Sequence, residues 1–261
     1  MENYIKEFYL FSSSHKLAQK LYYLGDLKAI YLEKKHLNRE IFNFAKLRNI
    51  AIYTIENADH LMELLPSETN HALAISYGIG FIFKKEHMEI FEYGIWNIHP
   101  GKLPDNRGRH PISWSFIKND KYFTVSVHKI NEKIDQGELI YECDIERDVN
   151  DDANSISRKI DNLLEGNLIE NALLNFKNGF TTSITKGNYN PNLMGKFKEI
   201  NPHNYTGREL FSIFKSQIIY GSLTINGHLY DNCDFFHEDF DCSESDVVEC
   251  SDGELMILRK S

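Results

Sequence analysis

The segment WNIHPGKLPDNRGRHPISW, residues 96–114, carries an asparagine and a histidine two positions apart, at Asn97 and His99. If the run IWNIH is a strand, both side chains project from one face at its carboxyl end. An amide can donate a hydrogen bond to an oxyanion, and an imidazole can accept a proton. The pair therefore supplies two of the groups that acyl transfer requires.

A carboxylate that would complete this set lies in the stretch INEKIDQGELI, where Asp135 precedes Gly137. The glycine permits a tight turn or a close approach of the backbone to a ligand. Taken singly, an aspartate in a turn and a strand-end Asn-x-His are more typical of structural hydrogen bonding than of catalysis. The residues alone leave both interpretations open.

The chain before this segment alternates short apolar runs with amphipathic stretches. The apolar runs are continuous, which indicates strands covered on both faces, as in a parallel sheet with helical crossovers. We predict strands at 8–13, 28–33, 50–55, 71–78 and 95–99. We predict helices at 15–25, 38–49 and 58–66. The predicted fold class is α/β, a doubly wound and mostly parallel sheet.

The pattern changes after the Asn-x-His strand. A helix is predicted from Pro111, then a half-exposed strand at 122–130 and another strand at 137–145, both as antiparallel edges of the sheet. Residues 153–178 carry apolar side chains at three- and four-residue steps, which predicts one long helix that ends at Gly179.

The predicted organisation of the chain has three parts. A main domain covers 1–180, a polar linker covers 181–203, and a small region with a helix and a hairpin covers 204–261. The hairpin turn is predicted at Asn226 and Gly227. A region of about 58 residues buries little apolar surface alone, so we expect it to pack on the main domain or on another subunit.

Composition limits the partners. Of the 261 residues, 42% are hydrophobic and 26% are charged, the balance of a globular protein with a substantial core. No apolar run approaches the ~20 residues of a membrane span, and the N-terminus lacks a signal-peptide pattern, so we predict a cytoplasmic protein without a membrane partner. The net charge of −9 argues against a nucleic-acid partner.

Two further histidines and the cysteines are weaker candidates. His110 and His128 are interpreted as loop or surface residues. No C-x-x-C spacing occurs among the cysteines, which are Cys143, Cys233, Cys242 and Cys250. We interpret them as reduced thiols and predict no metal, with a zinc site that includes His237 as the alternative.

Together these motifs resemble the formyltetrahydrofolate-dependent formyltransferase family. NIHPGKLPDNRGRHPISW resembles its Asn-x-His strand end and LP..RG..P loop, and DQGELI resembles its Asp-x-Gly loop. The resemblance covers roughly residues 1–178, and the run into RELFSIFK is similar to the short C-terminal region of the sugar N-formyltransferases. By this resemblance Asn97, His99 and Asp135 occupy the three catalytic positions.

The resemblance implies N10-formyltetrahydrofolate as the formyl donor, with its pterin between the Asp135 loop and the end of the fourth strand. The implied folate-binding residues are Tyr77, Gly78, Ile79, Gln136 and Gly137. A strand that simply ends in a flexible turn is the alternative for the YGIG stretch. The implied acceptor is a nucleotide-linked amino-deoxy sugar, with dTDP-4-amino-4,6-dideoxyglucose as the first choice, and a homodimer is expected.

A basic cluster follows the Asn-x-His strand and gives the implied pyrophosphate a partner. Lys102, Arg107 and Arg109 lie in a loop restricted by proline and glycine. Arg109 is the first candidate for a phosphate contact, whereas Arg107 is the better candidate for a loop brace. In SSSHK, the backbone amides and Lys16 are a second candidate anion site, for which helix capping by the serines is the alternative.

Two other functions stay open. A methionyl-tRNA formyltransferase-like enzyme would use the same chemistry, although the acidic tail matches RNA poorly. A catalytically silent nucleotide-sugar binding protein is the other alternative, and the intact set of Asn97, His99 and Asp135 speaks against it. The acidic tail residues are Asp231, Asp234, Glu238, Asp239, Asp241, Glu244 and Asp246.

Overall fold

A computed structural model of the chain describes residues 5–237 and 245–260. The chain forms two compact units, each assembled from three stretches of sequence. The first unit combines the residues up to 107 with 124–143 and 160–188, and the second combines 108–123, 144–159 and the residues from 189 onward. The domain boundaries suggested by the sequence stay a prediction.

The elements of the described residues are numbered in chain order. The strands are β1 Glu7–Phe11, β2 Asp26–Glu33, β3 Ala51–Ile55, β4 Ala72–Ser76, β5 Ile95–His99, β6 Arg107–Gly108, β7 Tyr122–Lys129, β8 Gly137–Glu146, β9 Thr182–Ile184, β10 Tyr189–Asn190, β11 Glu199–Ile200, β12 Leu223–Ile225, β13 His228–Tyr230, β14 Asn232–Phe235, β15 Ser245–Glu249 and β16 Leu255–Arg259. The α-helices are α1 His15–Leu24, α2 Arg39–Arg48, α3 Ala58–Leu64, α4 Lys85–Glu89, α5 Pro111–Ile117, α6 Ala153–Glu165, α7 Leu168–Lys177 and α8 Gly207–Gln217.

The first unit is built around an eight-stranded sheet of order β3-β2-β1-β4-β5-β7-β8-β9. Its first five strands pair in parallel, whereas the β5–β7 and β8–β9 pairs are antiparallel. The strand order reverses at β1, which makes the crevice beyond the carboxyl ends of β1 and β4 the topological switch point. The predicted fold class, a doubly wound and mostly parallel α/β sheet, is confirmed.

Short polar side chains set the helix starts around this crevice. The hydroxyl of Ser14 accepts a hydrogen bond from the backbone N–H of Leu17 at 3.3 Å and caps α1. The Asn38 side chain accepts one from the backbone N–H of Glu40 at 2.8 Å and caps α2. These caps satisfy N–H groups that have no partner within their own helix.

Strand β7 differs from the half-exposed edge strand that its alternating pattern predicts. It lies between β5 and β8, and residues 123–128 are all buried. The polar face of the strand is buried because Ser126 and His128 find hydrogen-bond partners inside the protein. Alternation therefore marked a polar face without telling whether water or protein covers it. The interpretation of His128 as a loop or surface residue is wrong.

The single helix predicted over residues 153–178 is two helices, α6 and α7, separated at Gly166 and Asn167. Asn167 has φ −100° and ψ 18°, outside the α-helical region. Glycine and asparagine both have low helix propensity, and asparagine favours helix ends. The end predicted at Gly179 is confirmed, since α7 stops at Lys177 and Gly179 has φ +70°.

The second unit contains α5 and α8 with two three-stranded sheets, of order β11-β12-β13 and β14-β16-β15. Helix α8 contributes Leu210, Ile213 and Phe214 to the core of this unit. The predicted hairpin is present between β12 and β13, and its turn residues Asn226 and Gly227 have φ +51° and +79°. Two consecutive residues with positive φ are what a two-residue hairpin turn requires.

Two cysteines belong to the core of the second unit. Burial raises the pKa of Cys250 to about 11, and burial also raises the pKa of Cys233. Both side chains are therefore thiols rather than thiolates at neutral pH. Cys242 lies outside the described residues.

Among the helices of residues 5–237 and 245–260, none is long and apolar enough to cross a membrane.

Candidate active site

Asn97 and His99 lie at the carboxyl end of β5, two residues apart and therefore on one face of the sheet. Strand β5 pairs with β7 so that Asn97 faces His128 and His99 faces Ser126. Directly opposed residues of an antiparallel pair project from the same face. Four polar side chains therefore meet at this end of the sheet.

The carboxylate of Asp135 joins this group from the loop between β7 and β8. Its Oδ1 lies 3.7 Å from Nδ1 of His99, and the two side chains are only 14% and 5% exposed. Electrostatic interactions between groups with so little access to water are screened much less than those at the surface. The structure thus brings together the three side chains that the sequence analysis singled out.

The path of the loop explains how Asp135 reaches the site. Asp135 has φ +47° and Gly137 has φ +114°. A Cβ atom on Gly137 would lie 2.1 Å from the carbonyl oxygen of Lys129, so only glycine allows this close passage. The tight turn returns the chain against the end of β7 and directs the carboxylate towards β5.

One nitrogen of His99 is committed to the backbone. Nε2 lies 2.8 Å from the carbonyl oxygen of Asn106, and a carbonyl only accepts, so Nε2 carries a proton. Nδ1 is then the nitrogen that faces Asp135. The loop that supplies Asn106 is held by Ser126, whose Oγ lies 2.8 Å from the carbonyl oxygen of Gly101 and accepts from the Leu103 N–H at 3.2 Å.

His128 is the site residue that sequence reasoning missed. Its Nδ1 donates to the carbonyl oxygen of Gln136 at 3.2 Å, and its Nε2 lies 3.3 Å from Nδ2 of Asn97. Burial, together with the neighbouring charge of His99, lowers the pKa of His128 to about 4. The residue is therefore neutral at pH 7. The sequence signal that could have identified His128 was its position at the end of a polar strand face, just before the Asp135 loop.

A cavity of about 630 Å³ opens at the switch point, between the ends of β1 and β4. Residues 12–16, Tyr77, Gly78 and two carboxylates of α6, Asp161 and Glu165, line it. Lys16 pairs with Glu165 at 3.2 Å between Nζ and Oε1. Burial raises the pKa of Asp161, although Lys16 opposes that shift.

The residues predicted to bind folate lie on two sides of the Asn97 position. Tyr77 directly follows Ser76, which pairs with Asn97 across β4 and β5. Gly78 has φ +75° with open space beside its Cα, whereas Ile79 packs against the core of the first unit. Gln136 and Gly137 belong to the Asp135 loop. Their role in folate binding stays a prediction.

The predicted basic residues have different surroundings. Lys102 is exposed. The Arg107 guanidinium donates to the carbonyl oxygen of Gly187 at 2.8 Å, which suits the bracing role suggested for it. Arg109 is exposed and belongs to the second unit. Phosphate binding by these residues and by Lys16 stays a prediction.

A metal centre was the alternative for the C-terminal cysteines and His237. Within residues 5–237 and 245–260, no group of three or more His, Cys, Asp and Glu side chains is arranged to hold a metal ion. Cys242, which that alternative also involved, is outside those ranges.

Comparison with known families identifies the class of protein to which this fold belongs. The family model described as formyl transferase matches residues 30–173, more than half of the chain. The chain belongs to the formyl transferase family, and the resemblance identified from its motifs is confirmed at that level.

Relatives by sequence and by structure carry different names. The chain is 33% identical over 181 residues to a methionyl-tRNA formyltransferase of Prochlorococcus marinus strain MIT 9312, a match that covers 68% of this chain and 51% of the relative. A second such enzyme, from strain AS9601, is 34% identical over 161 residues, which is 59% of this chain and 48% of the relative. The chain thus spans about half the length of the curated relatives it matches.

The similar solved structures include sugar N-formyltransferases. WlaRD, a sugar 3N-formyl transferase crystallised with dTDP and 5-N-formyl-THF, has a TM-score of 0.72 at 19% identity and covers 98% of this chain and 97% of its own. An N-formyltransferase of Helicobacter canadensis, in complex with folinic acid and dTDP-3-aminofucose, has a TM-score of 0.72 at 18% identity, with 98% and 100% covered. At such identities the likeness establishes the fold.

Proposed function

We propose that this protein transfers the formyl group of N10-formyltetrahydrofolate to the amino group of a nucleotide-linked amino-deoxy sugar. The observation that carries the proposal is the convergence of Asn97, His99 and Asp135 at the carboxyl end of β5, in a chain of the formyl transferase family. The folate compounds and dTDP ligands of WlaRD and of the Helicobacter canadensis enzyme support the choice of donor and acceptor.

The reaction begins when the neutral amine attacks the formyl carbon and a new C–N bond forms. The carbonyl oxygen becomes an oxyanion, and the Asn97 amide and the protonated Nδ1 of His99 donate hydrogen bonds to it. One such donor contributes about 3 kcal/mol to the stability of a transition state. The Asp135 carboxylate favours the charged form of His99 and orients its ring.

The second half of the reaction breaks the bond between the formyl carbon and N10. The attacking amine loses a proton, which Asp135 accepts through a water molecule and returns to N10, so the folate leaves protonated and the carboxylate is restored. The products are a formamido sugar and tetrahydrofolate. The proton lost by the amine equals the proton gained by N10, and no atom changes its oxidation state, so the reaction consumes no redox partner.

The two ligands have separate candidate binding residues. In this proposal the pterin lies between the Asp135 loop, with Gln136 and Gly137, and the end of β4. The pyrophosphate of the acceptor contacts the basic residues, for which Arg109 and Lys102 are better candidates than Arg107, because the Arg107 guanidinium already binds the Gly187 carbonyl. Lys16 is a weaker candidate, since Glu165 neutralises its charge.

Formylation of methionyl-tRNA is the second candidate function, favoured by the 33% identity to the Prochlorococcus marinus enzyme. The net charge of −9 opposes it, because binding of RNA depends strongly on neutralising phosphates with basic residues.

A homodimer is also proposed, with the exposed apolar residues Ile218, Ile219 and Tyr220 of the second unit as candidate contacts. Light scattering of the purified protein measures that state.

The deciding experiment supplies the purified protein with N10-formyltetrahydrofolate and separate acceptors. The acceptors are dTDP-linked 4-amino and 3-amino sugars, a GDP-linked amino sugar and methionyl-tRNA. A formamido sugar detected by mass spectrometry supports the proposal, and formylmethionyl-tRNA supports the second candidate. Tight binding of a nucleotide sugar without product would identify a silent binding protein and refute the proposed transfer.

A further inference from the structure

We propose that His128 is a positioning residue, which fixes the Asn97 amide so that one of its N–H bonds is directed at the reacting oxygen. The inference rests on the proposed formyl transfer for its kinetic consequences. Its structural part concerns only the resting protein and is testable without any substrate.

The orientation of a side-chain amide is not set by its shape. The oxygen and the NH₂ group of asparagine are nearly the same size, so a neighbour must distinguish them by hydrogen bonding. In a catalytic amide this choice is decisive, because only the NH₂ group can donate to an oxyanion. Asn97 therefore needs a partner that accepts but does not donate.

His128 is held in the form that meets this requirement. The Gln136 carbonyl, 3.2 Å from Nδ1, binds a proton on that nitrogen, which leaves a lone pair on Nε2 of the neutral ring. Nε2 lies 3.3 Å from Nδ2 of Asn97, and its lone pair accepts a hydrogen bond from one of the two N–H groups of the Asn97 amide. An amide turned the other way would place its oxygen against the lone pair, and the second N–H would no longer serve the site.

A charged His128 would reverse the arrangement, because Nε2 would then donate. Complete burial opposes that charge, and so does the charge of His99, whereas Asp135, with Oδ1 4.0 Å from Nε2, and the Gln136 carbonyl favour it. The balance favours the neutral ring, whose pKa is about 4. The same backbone carbonyl that selects the tautomer belongs to Gln136, next to Asp135, so the turn that supplies the carboxylate also orients the amide.

The kinetic test compares His128→Leu, which has no acceptor, with His128→Gln, whose side-chain oxygen can still accept. We expect His128→Leu to lower kcat by about tenfold to a hundredfold, less than the loss of a whole oxyanion donor, and to change either KM by less than about twofold. His128→Gln should recover part of kcat. In an Asn97→Ala background, His128→Leu should cause almost no further loss, because the two residues act as one unit.

A matched control addresses damage to folding. His87 is another fully buried histidine of the first unit, with Nδ1 accepting from the Lys84 N–H and Nε2 near the Ala58 carbonyl oxygen, both at 2.8 Å. His87→Leu should lower the thermal midpoint comparably while kcat of the folded enzyme is retained. Equal kcat losses in both histidine variants, or additive losses in the Asn97→Ala background, would overturn the positioning role.

A second measurement does not depend on catalysis. In protein labelled with ¹⁵N-histidine, the ring nitrogens of His128, assigned by their loss in His128→Leu, should report the Nδ1–H tautomer at neutral pH. Asn97→Ala should shift the Nε2 resonance because its donor is removed. An Nε2–H tautomer, or no response to Asn97→Ala, refutes this inference, whereas failure to form any formylated product refutes only the proposed function.

Discussion

The Asp135 carboxylate, on the loop between β7 and β8, places Oδ1 3.7 Å from Nδ1 of His99, and both side chains are largely buried. The other ring nitrogen of His99, Nε2, donates to the backbone carbonyl of Asn106, so Nδ1 is left to face the carboxylate. This relationship gives the proposed reaction its proton acceptor and its oriented imidazole together.

Replacing that carboxylate tests its role directly. Asp135→Asn keeps the shape of the side chain but cannot accept the proton or favour a charged His99. We expect kcat to fall by about a hundredfold or more, the usual range for loss of a general acid or base. Glu132→Gln, in the exposed part of the same loop, is the matched control and should retain kcat. Activity of Asp135→Asn within about threefold of the parent would contradict the assignment.

The turn at Gly137 should be intolerant of any side chain. In Gly137→Ala the new Cβ would lie 2.1 Å from the Lys129 carbonyl oxygen at a backbone φ of +114°, so the loop must move. We expect a loss of about 2 kcal/mol or more in the free energy of unfolding, measured with urea, together with lost activity. Gly253→Ala, at φ +81° in open space, should cost about 1 kcal/mol. Equal costs at the two positions would argue against the steric explanation.

The stability of the folded protein should depend on His128 in mildly acidic solution. The folded state holds the pKa of His128 near 4, against 6.5 for an unperturbed histidine, so the unfolded chain binds the proton more readily. Stability should therefore be fully retained above about pH 6.5 and fall as the pH is lowered towards 4, by roughly 3 kcal/mol at most. Asp161, whose pKa is raised by burial, opposes this trend near the acid end.

Urea unfolding between pH 7 and pH 4 measures that dependence. His128→Gln removes the titrating group, so its stability should fall less steeply over the same range. Parallel pH profiles for the two proteins would show that other groups are responsible.

Arg107 and Arg109 should have different roles, one in stability and the other in substrate binding. Arg109→Ala should raise the KM for a nucleotide-linked acceptor by about tenfold, since a hydrogen bond to a charged group contributes about 1.5–3 kcal/mol, and should leave the KM for the formyl donor unchanged. Arg107→Ala should mainly lower the thermal midpoint, because its guanidinium braces the Gly187 carbonyl. Titration with dTDP followed by calorimetry checks the first effect independently, and unchanged dTDP affinity in Arg109→Ala would remove that residue from the proposed phosphate site.

Local patterns in the sequence determined the fold class, the shared face of Asn97 and His99 and the position of one hairpin turn. The continuous apolar runs indicated the parallel sheet, and the two-residue period placed Asn97 and His99 on one face, because strand geometry is set within a few residues. The turn at Asn226 and Gly227 was predictable for the same reason, since it depends on which residues tolerate positive φ. The motif around these positions was specific enough to indicate the family.

Tertiary structure alone decided what covers each face and which distant residues meet. The alternating pattern of β7 was compatible with an exposed edge, and only pairing with both β5 and β8 buried it and set His128 against Asn97. The helix break at Gly166 was likewise not predictable from the sequence, because tertiary packing can override a low helix propensity. Strand order, and whether protein or water covers a polar face, depend on contacts between residues far apart in the chain, which local periodicity in the sequence does not specify.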